Sequence, residues 1–172
     1  MRPAGRERSH EQKQGRRSLR TLILGVGSSI LTDDAVGLFV ARALRERLAG
    51  RDGFDVSLNE EAGFTLLEEA IGYDRLVVID SILTGREPGA IMRLGLDDLS
   101  RTIHSNSPHG LNLATVIELG RRQGMDVPDE VIIYAVEAVD VLTFGEELSP
   151  ELAAKVDGIA EEIANELLKE GS

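Results

Sequence analysis

A chain of 172 residues, 42% of them hydrophobic, has the length of one domain and enough apolar material to fold without covalent staples. It contains no cysteine, which excludes disulfides, zinc fingers, iron–sulfur clusters and thiol nucleophiles together and is compatible with a reducing cytoplasm. The net charge of −11 is unevenly divided: residues 1–20 hold seven basic and two acidic residues, the remainder twelve basic and twenty-eight acidic, and an acidic body argues against nucleic acid as a partner.

Residues 1–20 lack hydrophobic periodicity and are rich in charge, Gly, Gln and Ser, so they read as a disordered basic extension. Residues 21–172 read as a single α/β domain. Arg16-Arg17-Ser18-Leu19 has the look of a twin-arginine export signal, but Leu22-Ile23-Leu24 meets glycines, serines and then Asp33-Asp34 within about a dozen residues. No export is expected, and no window approaches the ~18 apolar residues of a membrane span. The expected protein is cytoplasmic, with neither membrane nor nucleic acid as a partner.

From Thr21 onward, short apolar runs alternate with helical stretches. Leu22-Ile23-Leu24-Gly25-Val26 is too short for a helix and suits a buried strand. Asp34 to Leu48 places Val36, Val40, Leu44 and Leu48 on one helical stripe, ended by Gly50. Phe54-Asp55-Val56-Ser57-Leu58 alternates as a second strand, and Phe64 to Ile71 reads as a short helix with Leu66, Leu67 and Ala70 on its apolar face. Leu76-Val77-Val78-Ile79 is a fully buried strand ending at Asp80. Pro88-Gly89 turns the chain into an edge strand, Ala90 to Leu94. Leu111 to Arg122 is a helix, Glu130 to Val136 the last strand. Ser149-Pro150-Glu151 opens the final helix with Ser as cap, Pro in the first turn and an acid against the dipole. Such alternation predicts a three-layer α/β fold: a mostly parallel, five-stranded twisted sheet with helices on both faces.

Sites in open α/β sheets lie at the carboxyl ends of the strands, which directs attention to the loops after Val26, Ile79 and Arg93. The first, Gly25-Val26-Gly27 through Asp33-Asp34-Ala35-Val36-Gly37, invites a dinucleotide-binding reading, but the third glycine of that fingerprint is Ile30. Two aspartates at the start of the helix also repel the phosphate that a helix amino terminus would otherwise attract. No nucleotide is expected. Asp33 suits the helix cap, and Asp34, about 100° further round, can point elsewhere. Asp80 follows a buried strand, where a carboxylate needs a cation or several donors to stay ionised; its structural alternative is to shape the turn around Ser81 and Thr84. His109 stands in Ser107-Pro108-His109-Gly110, displayed near a helix start; His104 has no comparable framing and His10 lies in the extension. Two carboxylates and one imidazole make an oxygen and nitrogen donor set suited to Zn²⁺, Ni²⁺, Mn²⁺ or Fe²⁺, able to polarise an amide carbonyl or activate water.

The stretches Gly25 to Gly37, Ala62-Gly63-Phe64-Thr65-Leu66-Leu67, Val77-Val78-Ile79-Asp80-Ser81, Ser107-Pro108-His109-Gly110-Leu111, Val136-Glu137-Ala138 and Gly145-Glu146-Glu147-Leu148-Ser149-Pro150 resemble, in order and spacing over roughly residues 21–168, the [NiFe]-hydrogenase maturation endopeptidases. The resemblance implies removal of a carboxy-terminal extension from a hydrogenase large-subunit precursor after nickel insertion. It implies nickel ligation by Asp34, Asp80 and His109, with the nickel carried in by the substrate, and a peptidase of aspartic or metal-assisted type. Ser28 replaces the family's loop Asn, Asp34 stands where Glu is sometimes found, and Asn59-Glu60-Glu61 replaces a glycine-rich stretch; the two glutamates alter the charge of the cleft and bear on which hydrogenase is served. The competing readings are a non-catalytic, metal-recognising maturation chaperone that docks the precursor without cutting it, and a nucleotide-binding regulator.

Overall fold

Every residue of the first strand, β1 (Thr21–Val26), is buried, and its position explains why. The computed structural model describes residues 19–60, 64–101 and 108–170, with backbone only at residues 64, 99–101, 108–112 and 114. In it β1 lies inside a five-stranded sheet of order β2-β1-β3-β5-β4, with β2 at Phe54–Asn59, β3 at Arg75–Ile82, β4 at Ile91–Gly95 and β5 at Glu130–Glu137. β2, β1, β3 and β5 run parallel, and β4 is an antiparallel edge strand on β5.

The interior strands read as unbroken apolar runs because both faces are covered. Period-two alternation divides them. Ile23, Val77, Ile79, Ile132 and Tyr134 pack under α1 (Val36–Arg47) and α6 (Val156–Glu170). Leu22, Leu24, Leu76, Val78, Val131 and Ile133 pack under α2 (Phe64–Ala70) and α4 (Pro108–Arg122). The result is the expected three-layer, mostly parallel α/β sheet. Of the expected basic extension, residues 1–18 lie outside the described residues.

Several boundaries differ from expectation for local reasons. A 3-10 turn, Thr32–Ala35, precedes α1, so Asp33 and Asp34 belong to that turn instead of the helix. β3 continues past Asp80 to Ile82, because Asp80, Ser81 and Ile82 still pair with Ala135, Val136 and Glu137. A short helix, α3 (Leu96–Arg101), follows β4: the Gly95 N–H donates to Asp98 Oδ2 at 2.8 Å, and Asp97 and Asp98 lie in its positively polarised first turn. The final helix is broken into α5 (Pro150–Ala153) and α6.

Two features fix the layers. The buried Arg75 at the start of β3 donates from Nε to Thr21 Oγ1 (3.1 Å) and from Nη1 to Glu170 Oε2 (3.0 Å), while Arg93 of β4 reaches Glu170 Oε1 (2.8 Å) and Glu166 Oε1 (2.9 Å). The last turn of α6 is thereby tied to the sheet. At the other edge α1 sits directly on strand backbone. A Cβ on Gly37 would lie 2.2 Å from the Ile79 carbonyl oxygen and 2.3 Å from that of Val26, and one on Gly25 would lie 2.4 Å from the Gly37 carbonyl oxygen. Backbone presses on Gly37 from both strands, so Gly37→Ala is expected to destabilise the fold by about 1–3 kcal/mol, read as a lower midpoint in urea unfolding with an unchanged slope.

Candidate active site at the carboxyl edge of the sheet

Close packing of α1 carries the preceding turn into the mouth between β1 and β3. After Val26 the chain reverses through Gly27, whose φ of 148° and contact with the Asp34 carbonyl (2.0 Å from where a Cβ would stand) admit no side chain. Asp34 then points into the strand ends, buried, with Oδ2 accepting the Ser28 N–H (2.9 Å) and Oδ1 accepting the Ser81 hydroxyl (2.9 Å). The Ser81 N–H donates to Asp80 Oδ1 at 2.8 Å, and Asp80 is only 3% exposed. One serine therefore serves both carboxylates. Strand alternation makes this possible: Asp80 continues the row of Leu76 and Val78 toward the α2/α4 layer, and Ser81 continues the row of Val77 and Ile79 toward α1.

Asp33 does not cap the helix as expected. The cap of the 3-10 turn falls on Leu31 and that of α1 on Ala35, neither with a side-chain bond. Fully buried, Asp33 instead accepts from the N–H groups of Val139 (3.0 Å), Asp140 (3.0 Å) and Ser149 (2.7 Å) and from the Ser149 hydroxyl (3.0 Å). For the same reason Ser149, though it stands at the cap of α5, makes no side-chain cap bond. The loop after β5 offers Asp33 three N–H groups. Asp33 is thus the brace of that loop, which pairs back onto the first through Thr32 N–H to the Thr143 carbonyl, Gly145 N–H to the Ile30 carbonyl, and a bridge between Leu31 and Phe144.

The loop after Arg93 is not at this edge. β4 runs antiparallel, from Ile91 opposite Val136 to Gly95 opposite Ile132, so it ends toward the amino ends of the parallel strands. His109 returns by another route. α4 starts at Pro108, in the proline-favoured first turn, earlier than the expected Leu111, so His109 lies within its first turn. The far end of α4 lies beside the start of β5, where Arg121 donates to the carbonyls of Pro128 and Asp129 at 3.0 Å. The first turn, with the His109 backbone, is thus directed toward the end where β1 and β3 terminate. The His109 side chain, and His10 and His104, lie outside the described residues. Among the described residues no three His, Asp or Glu side chains are grouped as a metal would need.

Two further carboxylates belong to this edge. Glu137, buried at the end of β5, accepts the Thr84 N–H (2.7 Å), the Gly85 N–H (2.8 Å) and the Thr84 hydroxyl (2.6 Å), and so takes the role considered for Asp80 in shaping the turn at Thr84. Burial pushes its pKa up, but the donors of Thr84, Gly85 and Arg86 outweigh burial and hold it below the ordinary 4.5. Its signal was an acid ending a buried strand, the same pattern that singles out Asp80. Glu60 accepts both the hydroxyl (2.7 Å) and N–H (3.0 Å) of Ser29, which lower its pKa and tie the loop after β2 to the loop after β1.

A family model described as hydrogenase maturation protease matches residues 40–166, a span holding Asp80 and His109 and starting just after Asp34. The chain is 28% identical over 155 residues to the hydrogenase 2 maturation protease of Escherichia coli K12, covering 89% of this chain and 93% of that one. The structure superposes on the hydrogenase maturating endopeptidase HybD from Escherichia coli with a TM-score of 0.76 at 29% identity, covering 89% and 94% of the two chains. It also superposes on a [NiFe] hydrogenase maturation protease from Thermococcus kodakarensis with 0.66 at 28%, covering 87% and 99%. Fold and relatives together define an α/β peptidase. The chain belongs to the hydrogenase maturation protease family.

Asp33→Ala leaves three N–H groups and a hydroxyl without their acceptor, and is expected to cost about 3 kcal/mol or more in denaturant unfolding. Glu137 titrates below its ordinary value in the folded protein. Its contribution is therefore full above about pH 4.5 and is lost as pH falls through that value toward the folded pKa. Stability measured from pH 7 to pH 3 should fall less steeply at the acid end in Glu137→Gln than in the parent chain.

Proposed function

We propose that this peptidase acts in the cytoplasm on a [NiFe]-hydrogenase large-subunit precursor, cutting off its carboxy-terminal extension once nickel has been inserted, with Asp34, Asp80 and His109 gripping the nickel that the substrate carries. The observation that supports this reading best is the pair of buried carboxylates, Asp34 and Asp80, tied to the two donors of Ser81 at the carboxyl edge of the sheet. Family membership supports a role in hydrogenase maturation. Two carboxylates and an imidazole are donors that first-row divalent metals accept, and like charges brought together in a buried mouth favour the arrival of a cation.

In this reading the nickel fixes the precursor so that the scissile amide lies over the carboxylates. A water between them gives a proton to a carboxylate while its oxygen attacks the amide carbon. The tetrahedral intermediate collapses with cleavage of the C–N bond, and the carboxyl group returns the proton to the leaving amine. Holding water, amide and base in one geometry removes much of the entropic barrier to attack.

The test is incubation of the protein with nickel-loaded and nickel-free precursor, followed by mass spectrometry of the large subunit. Cleavage of the loaded form alone is expected. Cleavage indifferent to nickel would overturn nickel recognition, and nickel-dependent binding without cleavage would identify a docking chaperone instead. Asp80→Asn and His109→Ala should each abolish processing, while His104→Ala retains it; equal loss in both histidine variants would defeat the assignment of His109.

A further inference from the structure

The loop after β5 is braced from both sides and still turns large apolar side chains to solvent. Asp33 holds its two ends through Val139, Asp140 and Ser149, and within it Asp140 Oδ1 accepts the N–H groups of Leu142 (3.0 Å) and Thr143 (2.9 Å). Yet Leu142 is 82% exposed and Phe144 79%, with Val139 and, on the paired loop after β1, Ile30 about half exposed. A loop with this many bonds is held in shape, so the exposure is not slack. An apolar rim fixed beside a catalytic mouth marks an interaction surface.

The charge around the rim narrows the partner. The segments joining β1 to α1, β2 to α2, β3 to β4 and β5 to α5 hold eight acidic residues and one basic residue, Arg86. Exposed Glu60, Glu146 and Glu147 belong to these segments. The basic extension, residues 1–20, matches this charge but offers few large apolar side chains, and the chain following it enters the sheet at the amino end of β1. An apolar and basic partner fits better than this chain's own tail.

We propose that Ile30, Val139, Leu142 and Phe144 dock the precursor through a segment that presents large apolar side chains among Lys or Arg residues. The proposal rests on the reading that the precursor is the substrate, and it adds the surface and the chemistry by which that substrate is held before cutting. Aromatic and aliphatic anchors supply the binding, and the acidic surround supplies approach and orientation.

The test uses the full chain and the nickel-loaded precursor. The double variant Leu142→Ser/Phe144→Ser should melt with the parent protein, raise KM roughly tenfold or more, and leave kcat within about twofold. Leu142→Lys should raise KM more than Leu142→Glu at the same exposed position, and KM of the parent should climb as salt rises from about 0.05 to 0.5 M. An unmoved KM in the double variant, or the reverse order of the Lys and Glu variants, would overturn the proposal. So would a dimer that dissociates in the double variant, since a second copy would then cover the rim. A synthetic peptide of residues 1–18 that competes with precursor on the parent protein alone would assign the rim to the chain's own tail and overturn it equally. Precursor binding by sedimentation separates the two readings: binding without cleavage, lost in the double variant, leaves the docking rim standing while the peptidase reading fails, and cleavage with an unmoved KM does the converse.

Discussion

At Gly37 helix α1 rests directly on the backbone ends of β1 and β3, and the candidate site depends on that contact. At Gly25, Gly27 and Gly37 a carbonyl oxygen occupies the space a Cβ would need, between 2.0 and 2.4 Å away. Any larger residue would lift the 3-10 turn off the sheet. The 2.9 Å bond from the Ser81 hydroxyl to Asp34 spans the two pieces that would separate. The glycines of this loop serve backbone approach.

Adjacent aspartates have divided the work between them. Asp33 faces the loop after β5 and satisfies its N–H groups; Asp34 faces the strand ends and meets Ser81. A tight 3-10 turn separates their directions more than a cap position would. The site and the neighbouring rim are consequently held by consecutive residues, so a displacement of the turn moves both. Glu137 extends the same device to the loop after β3, gathering the donors of Thr84 and Gly85, and Glu60 gathers those of Ser29 in the loop after β1. Three strand-end loops, those after β1, β3 and β5, are fixed by side-chain carboxylates at an edge where no regular ladder remains to satisfy their backbone.

Much of this was legible in the sequence. The unbroken apolar runs of β1, β3 and β5 required burial on both faces, and strand–helix alternation required a parallel sheet. Asp80 stood out because an acid ended such a run. Glu137 ends another in the same way, but its partners, Thr84 and Gly85, lie 53 and 52 positions away in the chain, beyond the reach of local pattern. The direction of β4 was not legible either: five alternating residues look the same in either direction, and only pairing with β5 fixes which edge the following loop occupies. Asp33 read as a cap because a cap is the local explanation; its true partners begin more than a hundred positions later. What local pattern could not supply was, in each case, the far partner of a polar group.

The Glu170 carboxylate joins Arg75 and Arg93, one at the start of β3 and the other on the edge strand. Arg75 is buried at 2% exposure, and a guanidinium there without its partner is strongly unfavourable. β5, which must lie between β3 and β4, is also made after both of them. During synthesis most of this domain therefore precedes the strand that closes the sheet, and the buried arginine meets its two carboxylate partners, Glu130 and Glu170, only as β5 and then α6 follow. A nascent chain stalled short of β5 carries α1 over an unfinished sheet, and one stalled short of Glu170 lacks the carboxylate that joins Arg75 to the edge strand.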